Sequence, residues 1–304
     1  MAAKENESIV SSDDGLPARR NGIWGKEKLS FLDEFVPAAL QATGGGKKPK
    51  LQRWYVDLFA GPGRNVDPET SEEFEGSAVR VLPMAAQSNA RVHFTHAVLV
   101  NKNPDDQAAL QERIRRLRST NRCPIQPRNL QFLTDDANHV VHRIIRSIDT
   151  DAYALVFADI TKPSHWPWAS VRALKGHGHK SVDLYLLFPL GMALSRMMSY
   201  NDDTVEQSTA VLDRFFGTNE WRTLVDRRKT DAQSAELRRG ILDLYMTRLR
   251  GLGWAHVLVA RDIYRVGEAS LYQMIYASNH PAGGRIAEWS ASRPRIKKQP
   301  DLFE

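Results

Sequence analysis

The chain has 304 residues, one cysteine and a formal net charge of +6, long enough to bury a sizeable core without disulfide or metal staples. Cys123 alone excludes an internal disulfide and any cysteine-rich zinc site, and no apolar run is long enough to span a bilayer, so a cytoplasmic protein is expected. The basic balance favours a polyanionic partner without specifying one.

Residues 1 to 22 mix charge, Ser, Gly and Pro without periodicity, which predicts a disordered lead-in too polar to be a signal peptide. In residues 26 to 40 the apolar Leu29, Leu32, Phe35, Val36, Ala39 and Leu40 recur at helical steps. A Gly/Lys segment at 42 to 50 ends that helix. Strand and helix patterns then alternate, as in a parallel sheet with crossover helices. The expected strands are 53 to 59 (RWYVDLF), 92 to 100, 130 to 133, 154 to 158 and 182 to 188. Helices are expected at 77 to 87, 104 to 119 and from Val140 to Ile148. Residues 202 to 253 read as a helical insertion. After it, 255 to 260 and 271 to 277 can complete a seven-stranded sheet as an antiparallel pair.

The strongest local signal is an apolar strand ending in Asp57 and turning through Leu58, Phe59, Ala60, Gly61, Pro62 and Gly63. Glycines there let backbone approach a ligand at the carboxyl edge of a parallel sheet. Asp57 can accept from a cationic amino group. The string is neither GxxxxGK[ST] nor GxGxxG, so it is not a phosphate-cradling loop of either kind. Ser77 after Glu75-Gly76 is a natural helix N-cap. The other strand ends place Asn101-Lys102-Asn103, then Thr134-Asp135-Asp136-Ala137-Asn138, then Asp159-Ile160-Thr161-Lys162 at the same edge. Asp136 is either a ligand acceptor or a helix cap.

Six arginines, 113, 115, 116, 118, 122 and 128, lie in a stretch with no acid. They are either a solvated face or a phosphate track. The phase of Leu110, Ile114 and Leu117 turns Arg115 and Arg118 outward and leaves Arg113 beside the buried stripe. Trp166 and Trp168 can stack on a base or fill the core. His139, His142, His165, His177 and His179 form no HExxH, and no metal is expected.

The DLFAGPG string resembles motif I of class I S-adenosylmethionine (SAM) dependent methyltransferases, especially those acting on DNA. That likeness implies a Rossmann-like core over 23 to 201, the insertion at 202 to 253, sheet-completing strands at 254 to 290 and a basic tail at 291 to 304. It implies SAM as cofactor, bound by Asp57, Phe59, Ala60, Gly61, Gly63, Asn101 and Asp136. Asp159 takes the catalytic position, where amino-methylating enzymes hold the target amine. Arg115, Arg116, Arg118, Arg122, Arg128 and Lys162 are the nucleic-acid contacts this reading assigns.

A longer set of segments is similar to the three-Cys-motif partner protein (TcmP) family. They are 24 to 40, DLFAGPG, Glu75-Gly76-Ser77, 135 to 138, 159 to 168, LLFPLGMALSR at 186 to 196, Leu212 to Gly217 with Trp221, and Tyr276 to Pro281. The family is bacterial and often paired with a radical-SAM-like protein carrying a three-cysteine motif, which the resemblance supplies as a partner. This chain departs from it with Asn101 and Asn103 after the second strand and with Asp159-Ile160-Thr161-Lys162 after the fourth. Both changes fall at the expected active edge, so the alternative is a binding partner that keeps the fold without methyl transfer.

Overall fold

The structure, a computed structural model, describes residues 9–44, 49–50, 52–178, 181–190, 194, 205–225, 231–264 and 270–293. Expectations for residues 1 to 8, His179, residues 191 to 193, 195 and 196 of LLFPLGMALSR and the tail beyond 293 lie outside them. The chain opens with β1 (Ile9–Ser11), β2 (Pro17–Arg20) and α1 (Ile23–Gly44). Next come β3 (Arg53–Asp57), β4 (Arg64–Val66), β5 (Glu73–Glu75), α2 (Ser77–Val81), β6 (Ala85–Ala86) and β7 (Asn89–His93). The alternation continues through β8 (His96–Asn101), α3 (Pro104–Ser119), β9 (Leu130–Thr134), α4 (Ala137–Ser147), β10 (Tyr153–Ala158), α5 (Trp168–Ala173) and β11 (Val182–Phe188). Then follow α6 (Val205–Phe216), α7 (Trp221–Val225), α8 (Asp231–Gly251), β12 (His256–Tyr264), β13 (Ser270–Ser278) and α9 (Pro281–Ser292).

Seven strands form the central sheet in the order β12-β13-β11-β10-β3-β8-β9. The five from β9 to β11 are mutually parallel, and β13 runs antiparallel to both β11 and β12. The chain starts this sheet in its middle at β3, steps outward to β8 and β9, then returns to β10 on the other side of β3. That reversal opens a crevice at the carboxyl ends of β3 and β10, where open α/β sheets take their ligands.

Side chains alternate between two buried layers. Trp54, Val56, Val98, Ala154, Val156 and Leu184 face α4, α5 and the helices of the insertion. Tyr55, Ala97, Leu99, Leu155, Phe157 and Tyr185 face α1, α2, α3 and α9. Burial on both faces explains why these strands read as near-continuous apolar runs. In α1, Phe31 stacks on Tyr185 at 4.5 Å and Phe35 meets Tyr276 at 4.8 Å, which holds the helix across β11 and β13. Among the described residues no helix is long and apolar enough to cross a membrane.

The expected α/β class, parallel core and antiparallel closing pair are all present. Four expectations need correction. Residues 9 to 20, expected to belong to a lead-in without structure, form the β1–β2 hairpin, with β2 parallel to β4 and β4 antiparallel to β5. Strands of three or four residues are too short for a periodicity window to register. The helix expected over 77 to 87 stops at Val81: Leu82 still has helical angles and donates to the Ala78 carbonyl, but Pro83 has no N–H to carry the ladder further. The single strand expected over 92 to 100 is two, β7 and β8. They are broken at Thr95, whose amide N–H donates to the Arg53 carbonyl at 2.8 Å and whose hydroxyl accepts from the Arg53 N–H at 2.9 Å. Finally, the segment after β13 turns into α9, which runs into the expected tail; Pro281 opens it and His280 Nδ1 accepts from the Ala282 N–H.

Candidate functional site

The loop after β3 is fastened to both neighbouring strands. The Leu58 N–H donates to the Phe157 carbonyl of β10 and the Ala60 N–H to the Val100 carbonyl of β8, each at 3.0 Å. Gly61 has φ +62° and Gly63 φ +86°, a region that L side chains rarely adopt. The two glycines differ in what surrounds them. A Cβ on Gly61 would meet nothing within 4 Å, whereas one on Gly63 would come within 2.8 Å of Val79 and 2.9 Å of Leu110. Gly63 therefore serves packing, and Gly61 borders open space at the sheet edge.

Asp57 is fully buried. Its Oδ2 accepts from the Ser77 hydroxyl at 2.5 Å and the Tyr55 hydroxyl at 2.9 Å, and its Oδ1 from the Phe59 N–H at 3.3 Å. Burial raises its carboxyl pKa to about 6; the hydrogen bonds from Ser77, Tyr55 and Phe59 oppose the rise, and the charge of Asp159 adds to it. Ser77 is the first helical residue of α2, not its cap. Gly76 occupies the cap position, and the hydroxyl expected to cap the helix is spent on Asp57. The Asp57 carboxylate thus ties strand, loop and helix start together around Gly61.

Asn101, at the end of β8, is buried and turned toward the loop. Its amide Nδ2 donates to the Gly61 carbonyl at 2.9 Å and to Gln107 Oε1 at 2.6 Å, and Gln107 in turn donates to the Leu99 carbonyl. An ionised aspartate here could not make the bond to the Gly61 carbonyl, so the asparagine at this strand end has a job in holding the loop. Asp136 caps α4. Its Oδ1 accepts from the Asn138 N–H at 3.0 Å and the Asn138 amide at 2.8 Å, and its Oδ2 pairs with Lys102 at 3.2 Å. Desolvation works against these bonds, and the carboxyl pKa is nevertheless lowered. Of its two sequence readings, the cap is the one the geometry realises. Asn138 also donates to the His165 carbonyl and accepts from Ser170, which joins the start of α4 to the segment after β10.

Asp159 leaves β10 beside the loop, two residues beyond the register pair Phe157 and Asp57. Its Oδ2 accepts a short hydrogen bond from the ammonium of Lys28 on α1. Its Oδ1 is buried and has no partner. Lys28 was not singled out from the sequence, although a signal existed. It lies four residues before Leu32 and seven before Phe35, on the apolar stripe of α1, and a lysine in a core phase is rarely buried without a partner. Trp166 and Trp168 are both buried, so they pack the core and are not presented to stack on a base. Phe59 meets Trp166 edge-on at 5.8 Å. Ile160 is buried, and Lys162 is exposed on the turn before Pro163.

The arginine stretch divides. Arg113 is buried and donates to Asp14, to the Pro17 carbonyl and to the Pro62 carbonyl in the glycine loop. Arg115 and Arg116 share Glu112, Arg118 donates to the Ile125 carbonyl, and Arg122 lies 3.9 Å from Glu75. Arg128 is exposed. Every one of these arginines except Arg128 therefore has an intramolecular partner, and Arg115, Arg116, Arg122 and Arg128 keep exposed heads. No group of three or more His, Cys, Asp or Glu among the described residues is arranged to hold a metal ion.

No family model matches the sequence, and no curated protein matches it either. Solved structures do resemble the fold. Protein LPL1258 from Legionella pneumophila is 11% identical with 86% of each chain covered and a TM-score of 0.45. A putative methyltransferase, yhhF, from Escherichia coli is 11% identical, covering 87% of this chain and 93% of its own, with a TM-score of 0.36. TYW2 of M. jannaschii, solved in complex with AdoMet, is 10% identical over 88% of this chain and 84% of its own, with a TM-score of 0.34. The strand order, with one antiparallel strand between the last two parallel positions, is that of an open, mostly parallel Rossmann-like α/β sheet.

Proposed function

We propose that the chain binds SAM at the carboxyl edge between β3 and β10 and transfers its methyl group to a nucleic acid. The single observation that carries the reading is the pinned DLFAGPG loop, with Gly61 at a positive φ and open space where its side chain would be. The cradle fits such a ligand. Phe59, Ala60 and Gly61 line it with backbone while Gly63 packs behind them, Asn101 and Asp57 fix its shape, Asp136 stands two strands away at the end of β9, and Asp159 offers an unpartnered buried oxygen. When bound, SAM supplies an electrophilic methyl on a sulfonium. Asp159 Oδ1 accepts a hydrogen bond from the acceptor amine, orients its lone pair and takes up the proton released as the new bond forms.

Calorimetry with SAM tests the cofactor step. Wild type binds, Gly61→Ala binds with modest loss, and Gly61→Trp abolishes binding while its thermal unfolding stays close to that of Gly61→Ala. The alanine variant controls for backbone strain, roughly 1–2 kcal/mol for an L residue in the left-handed region. Failure of the wild type to bind at millimolar SAM, or full binding by the tryptophan variant, would remove the reading.

The acceptor class rests on net charge and on the exposed arginine heads. Each phosphate neutralised releases condensed counterion, so affinity for DNA or RNA must fall linearly in log–log with salt. Arg115→Ala/Arg128→Ala should weaken binding and flatten that slope, with stability changed by under about 0.5 kcal/mol. An unchanged slope removes this surface as the contact. The resemblance to the TcmP family adds a three-Cys-motif, radical-SAM-like partner to this proposal. A second reading, binding without transfer, is favoured by the Lys28 ammonium already seated on Asp159. Labelled SAM separates the two readings, because incorporation of methyl into nucleic acid excludes the second.

A further inference from the structure

The contact between Lys28 and Asp159 exceeds what fastening α1 requires. The helix is already held by its aromatic stack on β11 and β13, and the Tyr185 hydroxyl donates to the Lys28 carbonyl at 3.0 Å. That bond pins the turn carrying Lys28 over the middle of β11. From there the lysine, nine-tenths buried, reaches across to Asp159 Oδ2. Asp159 Oδ1 is left buried without a donor, although an unsatisfied buried carboxylate oxygen is expensive. Beside it stands Asp57, close enough for its carboxyl to feel the charge of Asp159. The ammonium pairs with Asp159 alone, so at the loop itself two neighbouring carboxylates stand with one of them ion-paired; the buried Arg261 guanidinium, spent on the Ser290, Ala291 and Arg293 carbonyls, acts from the far side of Tyr185.

We propose that Lys28 is a positioning residue: by occupying Oδ2 it commits Oδ1 of Asp159 to the ligand and sets how strongly the edge distinguishes a cationic sulfonium from the neutral thioether left after methyl loss. This rests on the SAM reading and deepens it. An edge whose carboxylates are only partly compensated holds the charged donor and releases the uncharged product. The size of the preference is tuned by the fraction of the Asp159 charge that Lys28 cancels. With Lys28 gone, the carboxylate is uncompensated and the preference for the sulfonium grows. With the Asp159 charge gone, an unpaired ammonium faces the sulfonium and the preference collapses.

The opposite signs of these two changes make the test. Affinities for SAM and for S-adenosylhomocysteine are measured by calorimetry at one pH near 8 on the full chain and on Lys28→Met, Lys28→Arg and Asp159→Asn, with thermal unfolding of each. Asp159→Asn should lose about tenfold in SAM affinity while changing less than about threefold for the thioether. Lys28→Met should move the ratio the other way, toward SAM, by about threefold or more, and Lys28→Arg should keep the wild-type ratio. Equal losses for both ligands in both variants would make the pair a structural fastener and overturn the proposal. If Lys28→Met does not fold, Asp159→Asn decides alone, since an unchanged SAM-to-thioether ratio there sinks it. Absence of binding of either ligand to the wild type removes the SAM reading and this proposal together, an outcome distinct from equal losses.

Discussion

Replacing Arg113 with methionine is expected to destabilise the folded chain by about 2–3 kcal/mol, below the range for a fully buried, hydrogen-bonded charge pair because Asp14 is partly exposed. The guanidinium makes a bidentate pair with Asp14 at 2.7 and 2.8 Å and donates at 2.7 Å to each of the Pro17 and Pro62 carbonyls. Methionine keeps most of the apolar stem that packs in α3 and removes all of these donors. The Asp14 carboxylate is then left with the Leu16 N–H and, at 3.8 Å, Arg116, beside two unpaired carbonyls. Burial pushes the Asp14 carboxyl pKa up, but the hydrogen bonds from Arg113 and the Leu16 N–H, with the Arg113 charge, outweigh it and hold the group at about 2. A depressed folded pKa contributes stability that is present above the unfolded value near 4 and is lost as pH falls toward 2.

Urea unfolding of wild type and variant at pH 7 and pH 3 checks both parts. The variant should unfold at much lower urea at pH 7, and the gap should narrow at pH 3, where the wild type has begun to lose the pair. Because Arg113 also holds the Pro62 carbonyl, the loss should reach the glycine loop, seen as weaker SAM binding even where the variant is folded. A variant as stable as wild type would mean that β2 pairing with β4, the Ser12 and Asp13 bonds to Glu73 and the Arg19–Asp106 pair hold residues 9 to 20 without Arg113.

The contrast between Arg113 and its neighbours shows what the sequence could and could not convey. The central strands were legible because burial on both faces writes an unbroken apolar run, and α3 was legible to the residue because Leu110, Ile114 and Leu117 keep helical phase between Pro104 and Thr120. The same phase placed Arg113 next to the buried stripe but could not name its partner, which lies 99 residues away in the chain. Lys28 and Asp159 are separated by 131 residues, and nothing local marks either as the other's counter-ion. The glycine loop was readable since φ-driven glycine choice is a local matter. Its fastening by Asn101, Ser77 and Gln107 was not, because each polar residue has a respectable local role as strand end, cap or surface amide. Long-range polar pairing is the information that periodicity lacks.

Asp57 supplies the second large effect, and here function and stability pull apart. Its raised pKa means that the folded state binds the proton more tightly than the unfolded chain does, so stability is greatest below about pH 4 and falls as pH rises through about 6. A rise of that size corresponds to about 3 kcal/mol lost at pH 7.5 for keeping a fully buried carboxylate ionised. Asp57→Asn removes the charge and retains an oxygen that can still accept from Ser77 and Tyr55. It loses the weaker acceptance at 3.3 Å from the Phe59 N–H, which returns part of the gain. The variant should therefore be more stable than wild type at pH 7.5 by about 1–2 kcal/mol and no more stable at pH 4, where the wild-type carboxyl is protonated. SAM affinity at pH 7.5 should fall in the same variant, because the negative charge beside the loop is gone. Unfolding curves at the two pH values, paired with calorimetry, read both halves. Equal destabilisation at pH 4 and 7.5 would show that Asp57 is an ordinary structural acceptor, whereas a stabilised variant that no longer binds SAM is the signature of a buried charge kept for its ligand.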